Sequence, residues 1–153
     1  MTNLKDLRGN SMYSFVFITH GELGNTLLDI ASRIMDIDVS ERTAFFSIEF
    51  SMVAELDGMK ANLEKTIDSF LAKGHKVIIL VDLFGGSPSN IALSLAKKDN
   101  VDVVSGVNLS MVMYSLEHRD DDTDIETMVD EIIRSARQNI TGAKQLLAKR
   151  ESK

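Results

Sequence analysis

Apolar positions along the chain alternate between two periods. Short runs that suit strands are separated by stretches in which hydrophobic residues recur every three or four positions. Tyr13–Thr19 (YSFVFIT) is aromatic and β-branched and too short for a helix, so it predicts a first strand. Leu23, Leu27, Ile30 and Ile34 then repeat at helical spacing as far as Met35. Thr43–Phe50 (TAFFSIEF) predicts a second strand, and Leu56, Met59, Leu63, Ile67 and Phe70 make a second helical stripe, stopped at Gly74 in a C′ position. Lys76–Asp82 (KVIILVD) is a continuous apolar run ending in a charge, the pattern of a parallel strand covered on both faces. A helix is predicted from about Ser89 to Lys98, with Ser87 as N-cap and Pro88 at N1, and Val101–Ser105 is a fourth strand ended by Gly106. Leu109–His118 predicts a short helix. Thr123 and Glu126 have capping-box spacing and open the last one, whose stripe runs Ile125, Met128, Val129, Ile132, Ala136, Ile140, Ala143 and Leu147.

This βαβαβαβ pattern, closed by two helices, predicts an α/β domain with a mainly parallel four-stranded sheet in order 2-1-3-4. Right-handed crossovers would place helices on both faces. Ligands of such sheets sit beyond the carboxyl ends of the strands, where strand order reverses. The loops after Thr19 and after Val81 are therefore the ones to inspect. Residues 1–12 are expected to be a disordered leader and residues 13–150 the folded domain.

Composition narrows the chemistry. The 153 residues include no cysteine, which excludes a thiolate zinc site, an iron–sulfur cluster, a disulfide scaffold and a cysteine nucleophile. A formal net charge of −6 argues against non-specific binding to nucleic acid or an anionic membrane. No run approaches the ~18 apolar residues of a membrane span, and the polar start MTNLKDLRGNS is unlike a secretory signal. The expectation is a cytoplasmic protein.

The two inspected loops hold the unusual residues. His20 follows the first strand, and Gly21 lets the backbone turn there. Asp82 ends the neighbouring strand. A carboxylate accepting from one imidazole N–H fixes the tautomer and leaves the other nitrogen's lone pair to attack. Gly85-Gly86-Ser87 opens the third predicted helix, where exposed N–H groups and the helix dipole favour an anion, and Ser87 could add a hydroxyl donor. A histidine facing a phosphate cradle, with no metal ligands beside it, fits transient phosphorylation of the ring.

These residues carry a resemblance. Ile18-Thr19-His20-Gly21-Glu22-Leu23-Gly24, Val81-Asp82-Leu83-Phe84-Gly85-Gly86-Ser87-Pro88-Ser89-Asn90 and Ser105-Gly106-Val107-Asn108-Leu109 resemble three signature segments. They are similar to those of the IIA component of the mannose/fructose/sorbose family of the phosphoenolpyruvate-dependent sugar phosphotransferase system. The likeness runs in order from about Tyr13 to Ala148. It implies that His20 is the phosphorylated histidine, that Asp82 hydrogen-bonds it, and that Ser87 with the amides around Gly85 and Gly86 contacts the phosphate. It implies receipt of phosphate from the histidine phosphocarrier protein and delivery to a IIB component, here expected on a separate chain. The membrane IIC and IID components are then partners only indirectly. It implies no metal and no organic cofactor, and it suggests a homodimer. Ser89 departs from the aromatic residue that some relatives carry there, which bears on docking more than on chemistry.

Two other roles share the site. One is a regulatory phosphohistidine domain acting on a partner protein. The other is the phosphotransferase subunit of a dihydroxyacetone kinase, against which the Gly-Gly-Ser-Pro element weighs. Unrelated chemistries lack their residues. There is no acidic cluster ending the first strand for a receiver, no Gly-x-Ser-x-Gly elbow and no Gly-x4-Gly-Lys-Ser/Thr loop. The remaining features read as structural. His75 falls at the opposite sheet edge, His118 near a helix end, and Asp120-Asp121-Asp122 forms a solvated run. Of Met52, Met111 and Met113, two are expected in the core. Phe84 is the candidate for an exposed docking contact.

Overall fold

The computed structural model describes residues 12–48 and 56–152. Four strands, β1 (Tyr13–His20), β2 (Thr43–Ile48), β3 (Lys76–Val81) and β4 (Val101–Ser105), form one sheet in order β2-β1-β3-β4. Every pairing is parallel. The parallel α/β architecture and its strand order are those the hydrophobic pattern predicts. The last expected residues of the second strand, residues 1–11 of the expected leader, and Met52 lie outside the described residues.

Alternation within the two central strands assigns side chains to two layers. Tyr13, Phe15 and Phe17 of β1 and Ile78 and Leu80 of β3 face one side. There they pack on α1 (Leu23–Met35), α4 (Leu109–Glu117) and α5 (Ile125–Asn139) through Leu28, Ala31, Met111, Val112, Leu116, Met128 and Ile132. Val16, Ile18, Val77, Ile79 and Val81 face the other, against α2 (Leu56–Ala72) and α3 (Gly86–Leu95) through Leu63, Ile67, Phe70, Ala92 and Leu95. Both faces of β1 and β3 are thus fully covered, which is why their sequences read as unbroken apolar runs. Each large apolar side chain buried this way contributes about 1.5–3 kcal/mol relative to exposure.

Helix ends follow local chemistry. Gly74 (φ 80°) ends α2: its N–H bonds Leu71 O at 2.9 Å and the His75 N–H bonds Phe70 O at 3.1 Å, the paired bonds of a Schellman motif. Two expected starts are corrected. Helix α3 opens at Gly86 with Gly85 as N-cap, not at Ser87. Pro88 therefore sits at N3, which costs nothing because the first helical N–H groups have no intrahelical acceptor. Helix α5 is capped by Asp124, whose Oδ1 accepts from the Thr127 N–H at 2.8 Å. Thr123 instead gives its carbonyl to the Tyr13 hydroxyl and the Lys76 ammonium.

The last apolar stripe divides. A break at residues 140–142 separates α5 from α6 (Ala143–Glu151), which is exposed along its whole length. The stripe continued in sequence, but Ile140 and Leu147 contribute to neither core.

Candidate functional site at the carboxyl edge of the sheet

β1 lies between β2 and β3, so the reversal of strand order falls where β1 and β3 end side by side. The register pairs Ile18 with Val81, so His20 and Asp82 leave neighbouring strands just beyond the paired residues, offset by one position. Asp82 Oδ2 accepts from the His20 backbone N–H and meets His20 Nδ1, each at 2.8 Å. Asp82 Oδ1 accepts from the Leu83 N–H, also at 2.8 Å. The carboxylate is largely buried, with 12% of its side chain exposed against 29% for His20.

Burial alone would raise the Asp82 carboxyl. The hydrogen bonds from the His20 backbone and ring and from the Leu83 N–H outweigh it and hold the group below its ordinary value of 3.8. An ionised carboxylate only accepts, so Nδ1 must carry the proton it shares with Asp82. In the neutral ring the lone pair is then on Nε2. The pair therefore orients a nitrogen nucleophile and places a fixed negative charge behind any cationic ring it forms.

Both loops beside this pair are tied down by buried hydroxyls. Thr19, the residue before His20, is fully buried, and its Oγ1 accepts from the Gly24 N–H at 2.8 Å. This satisfies one early donor of α1, whose N-cap, Glu22, gives no side-chain capping bond to the helix backbone. Gly24 allows the approach: a Cβ there would lie 3.0 Å from Phe17 Cβ and 3.1 Å from Phe45 Cε2 and Thr19 Oγ1. On the other side, Ser89 is 5% exposed and its Oγ accepts from the Gly85 N–H at 2.8 Å. Its proton is shared between Gly85 O at 2.9 Å and Leu83 O at 3.2 Å. Gly85 (φ 151°, ψ 141°) makes the turn into α3 in a conformation that favours glycine.

His20, Asp82, Leu83, Gly85 and Ser89 line one small recess, so the N-cap of α3 borders the imidazole. Of the expected cradle, Gly85 differs in detail, since its N–H is engaged by Ser89. Gly86 takes position N1, and the Ser87 side chain lies outside the described residues. Thr19 and Ser89 are the site-shaping residues that sequence reasoning missed. Thr19 has one signal, a hydroxyl at the end of an apolar strand run; a serine in the first turn of a helix gives none.

The rim of the recess is apolar. Leu83 and Phe84 are about half exposed (53% and 50%), and Leu23 at the start of α1 is also exposed. Phe84 thus has the exposure expected of it, and Leu83 beside it and Leu23 three residues after His20 are exposed as well.

The other candidates are elsewhere. His75 is buried beside β1, with Nδ1 2.7 Å from Ser14 Oγ and its ring stacked on Phe70. Burial, with the charges of Arg42 and Lys73, lowers its pKa from the ordinary 6.5. His118 stacks on Tyr114 with centroids 4.2 Å apart and meets Asp121 through Nδ1 at 2.7 Å. Asp120 pairs with Arg42 at 2.6 Å, so the acidic run braces the amino edge of the sheet. Met111 is buried and Met113 packs against the same core.

Comparison with known proteins places this geometry. Residues 14–133 match the family model described as the PTS system fructose IIA component. The chain is 30% identical over 139 residues to the PTS system mannose-specific EIIAB component of Escherichia coli K12, covering 86% of this chain and 39% of that protein. It therefore spans about two fifths of the length of that relative. It is 26% identical over 110 residues to the PTS system fructose-specific EIIA component of Bacillus subtilis, 71% of this chain and 72% of the relative. Among solved structures it is similar to the PTS IIA protein associated with the fucose utilization operon of Streptococcus pneumoniae. The TM-score is 0.75 at 25% identity, covering 89% of this chain and 96% of the other.

Proposed function

The chain belongs to the mannose/fructose family of PTS IIA components, and from that premise we propose that it is a phosphocarrier that takes a phosphoryl group onto His20 Nε2 and passes it on. The observation that carries this reading is the Asp82 carboxylate held 2.8 Å from His20 Nδ1. It fixes the tautomer in which Nε2 is the nucleophile, and it stabilises the ring charge that follows P–N bond formation.

The incoming phosphorus would be attacked in line by Nε2 as its bond to the donor histidine nitrogen breaks. The donor ring leaves with the electron pair of that bond. The reverse displacement by an acceptor nitrogen then clears the site. Such transfers are accelerated by positioning and charge stabilisation, with little covalent work left to the protein. The amino end of α3 supports the negative phosphoryl oxygens through early helical N–H groups and the helix dipole. Within the proposed domain, residues 13–150, Gly86 and Ser87 are the cradle residues and Gly85 sets their direction. No metal or organic cofactor enters either step.

The histidine phosphocarrier protein is the proposed donor and a IIB component the proposed acceptor, in the cytoplasm. Each would dock on the apolar rim of Leu23, Leu83 and Phe84 and bring its own histidine within reach of His20. We further propose that the chain works as a homodimer, on the family resemblance.

The test follows the phosphate through both steps. The full chain is incubated with phosphoenolpyruvate, the general phosphotransferase proteins and candidate IIB proteins. Labelling of this chain followed by transfer to a IIB protein supports the carrier role. Stable labelling with no transfer to any IIB protein would overturn it in favour of regulation.

A further inference from the structure

Ser89 stands in the first turn of α3, where it lines the recess but is only 5% exposed. Nevertheless its hydroxyl holds three backbone atoms of the loop that separates Asp82 from that helix. It accepts the N–H of Gly85, and it shares its proton between the carbonyls of Gly85 and Leu83. The Leu83 residue whose carbonyl is held here also donates its N–H to Asp82 Oδ1, and Asp82 Oδ2 holds His20. One chain of hydrogen bonds therefore runs from the interior of α3, through a single residue of the loop, to the imidazole.

We propose that Ser89 is a positioning residue for phosphoryl transfer, setting the direction of the α3 amino end relative to His20 Nε2. Three features of the site make its hydroxyl suited to this. Gly85 has no side chain to fix its own torsions, and at φ 151° it is in a region where glycine moves freely. Leu83 and Phe84 are about half exposed and belong to neither core, so core packing does not hold the loop. The restraint therefore comes from inside, from a short side chain on the first turn of the very helix being aimed. Because Gly85 N–H is already bonded to Ser89, the donors left to face a phosphoryl oxygen begin at Gly86. The hydroxyl thus selects which amides form the cradle as well as where they point.

This inference rests on the phosphocarrier reading of His20, and the experiment separates the two. Phosphoryl transfer from the phosphorylated histidine phosphocarrier protein to the full chain is followed by rapid quench, across a range of donor concentrations. Wild type, Ser89→Ala and Ser89→Thr are compared, and a melting curve is recorded for each. Alanine is nearly isosteric and the best helix former, so α3 is retained. The expected result is that Ser89→Ala lowers the saturating transfer rate by about 10- to 100-fold, the range reached when a reacting group is misplaced by about an ångström. The donor concentration for half-maximal rate should stay within about twofold, since the docking rim is untouched, and Ser89→Thr should restore most of the loss.

A rate within twofold of wild type for Ser89→Ala overturns the proposal. So does a loss carried wholly by the half-maximal concentration, or one that Ser89→Thr leaves in place. If wild type itself takes no phosphate on His20, the carrier reading has failed rather than the role of Ser89.

Discussion

Asp82 uses one oxygen twice, and this decides the chemistry of its neighbour. Oδ2 holds both the backbone and the ring of His20, while Oδ1 takes the Leu83 N–H. Replacing Asp82 by Asn keeps the shape but removes the charge, and an amide nitrogen turned toward Nδ1 would select the other tautomer. Asp82→Asn is expected to slow phosphoryl transfer by at least about 10²-fold, as loss of the tautomer-fixing carboxylate does in other histidine-dependent sites. The melting temperature should change little. Wild-type transfer rates in this variant would remove Asp82 from the mechanism. The His20–Asp82 pair was legible in the sequence because both residues end apolar runs that a parallel sheet must bring to one edge. Ser89 was not, since a serine in the first turn of a helix is ordinary and its three bonds depend on the turn that Gly85 makes.

At the scale of elements, the ends of helices hold most of the differences from expectation. Gly85-Gly86-Ser87-Pro88 offers two plausible caps, and local preference favours serine over glycine. The backbone of Gly85 settles the matter because its torsions begin the helix two residues earlier than the serine cap would. The same competition placed the cap of α5 at Asp124 when Thr123 had the capping-box spacing, because the Thr123 carbonyl is taken by Tyr13 and Lys76 across the fold. Strands were easier to read, since burial on both faces leaves a continuous apolar run. The approach of α1 to β1 and β2 yields a separate prediction. A methyl group at position 24 meets Phe17 Cβ at 3.0 Å, an atom close to the backbone that cannot swing away. Gly24→Ala is expected to destabilise the protein by about 1–3 kcal/mol in urea or thermal unfolding. It should also slow transfer, because the Thr19–Gly24 bond beside His20 must lengthen. An unchanged unfolding midpoint would show that α1 can shift without cost.

The whole molecule separates its two polar regions to opposite edges of the sheet. The carboxyl edge has His20, Asp82 and the amino end of α3. The amino edge has His75, Arg42, Lys76 and the acidic run, where His75 meets Ser14, Arg42 pairs with Asp120 and Lys76 donates to the Thr123 carbonyl. This separation makes pH a selective probe of stability. Burial and the nearby cations depress His75 below 6.5, so the unfolded chain binds its proton more readily than the folded one. The stability that neutral His75 contributes is thus fully present above about pH 6.5 and is lost as pH falls from there through the folded-state value. The melting temperature is expected to drop between pH 7.5 and 5. His75→Gln, which can still bond Ser14 but does not titrate, should flatten that drop, and an identical pH dependence in the variant would assign it to other groups.

The central claim, that His20 holds a phosphoryl group in transit, is tested most directly by phosphorylating the full chain from phosphoenolpyruvate through the general phosphotransferase proteins and locating the modification by mass spectrometry and phosphorus NMR. The account predicts one phosphoryl group, labile to acid and stable to alkali, bonded to Nε2 of His20 and absent from His20→Ala. A His20→Ala protein that is labelled as fully as wild type, or a wild-type label found on a hydroxyl or another histidine, would contradict it.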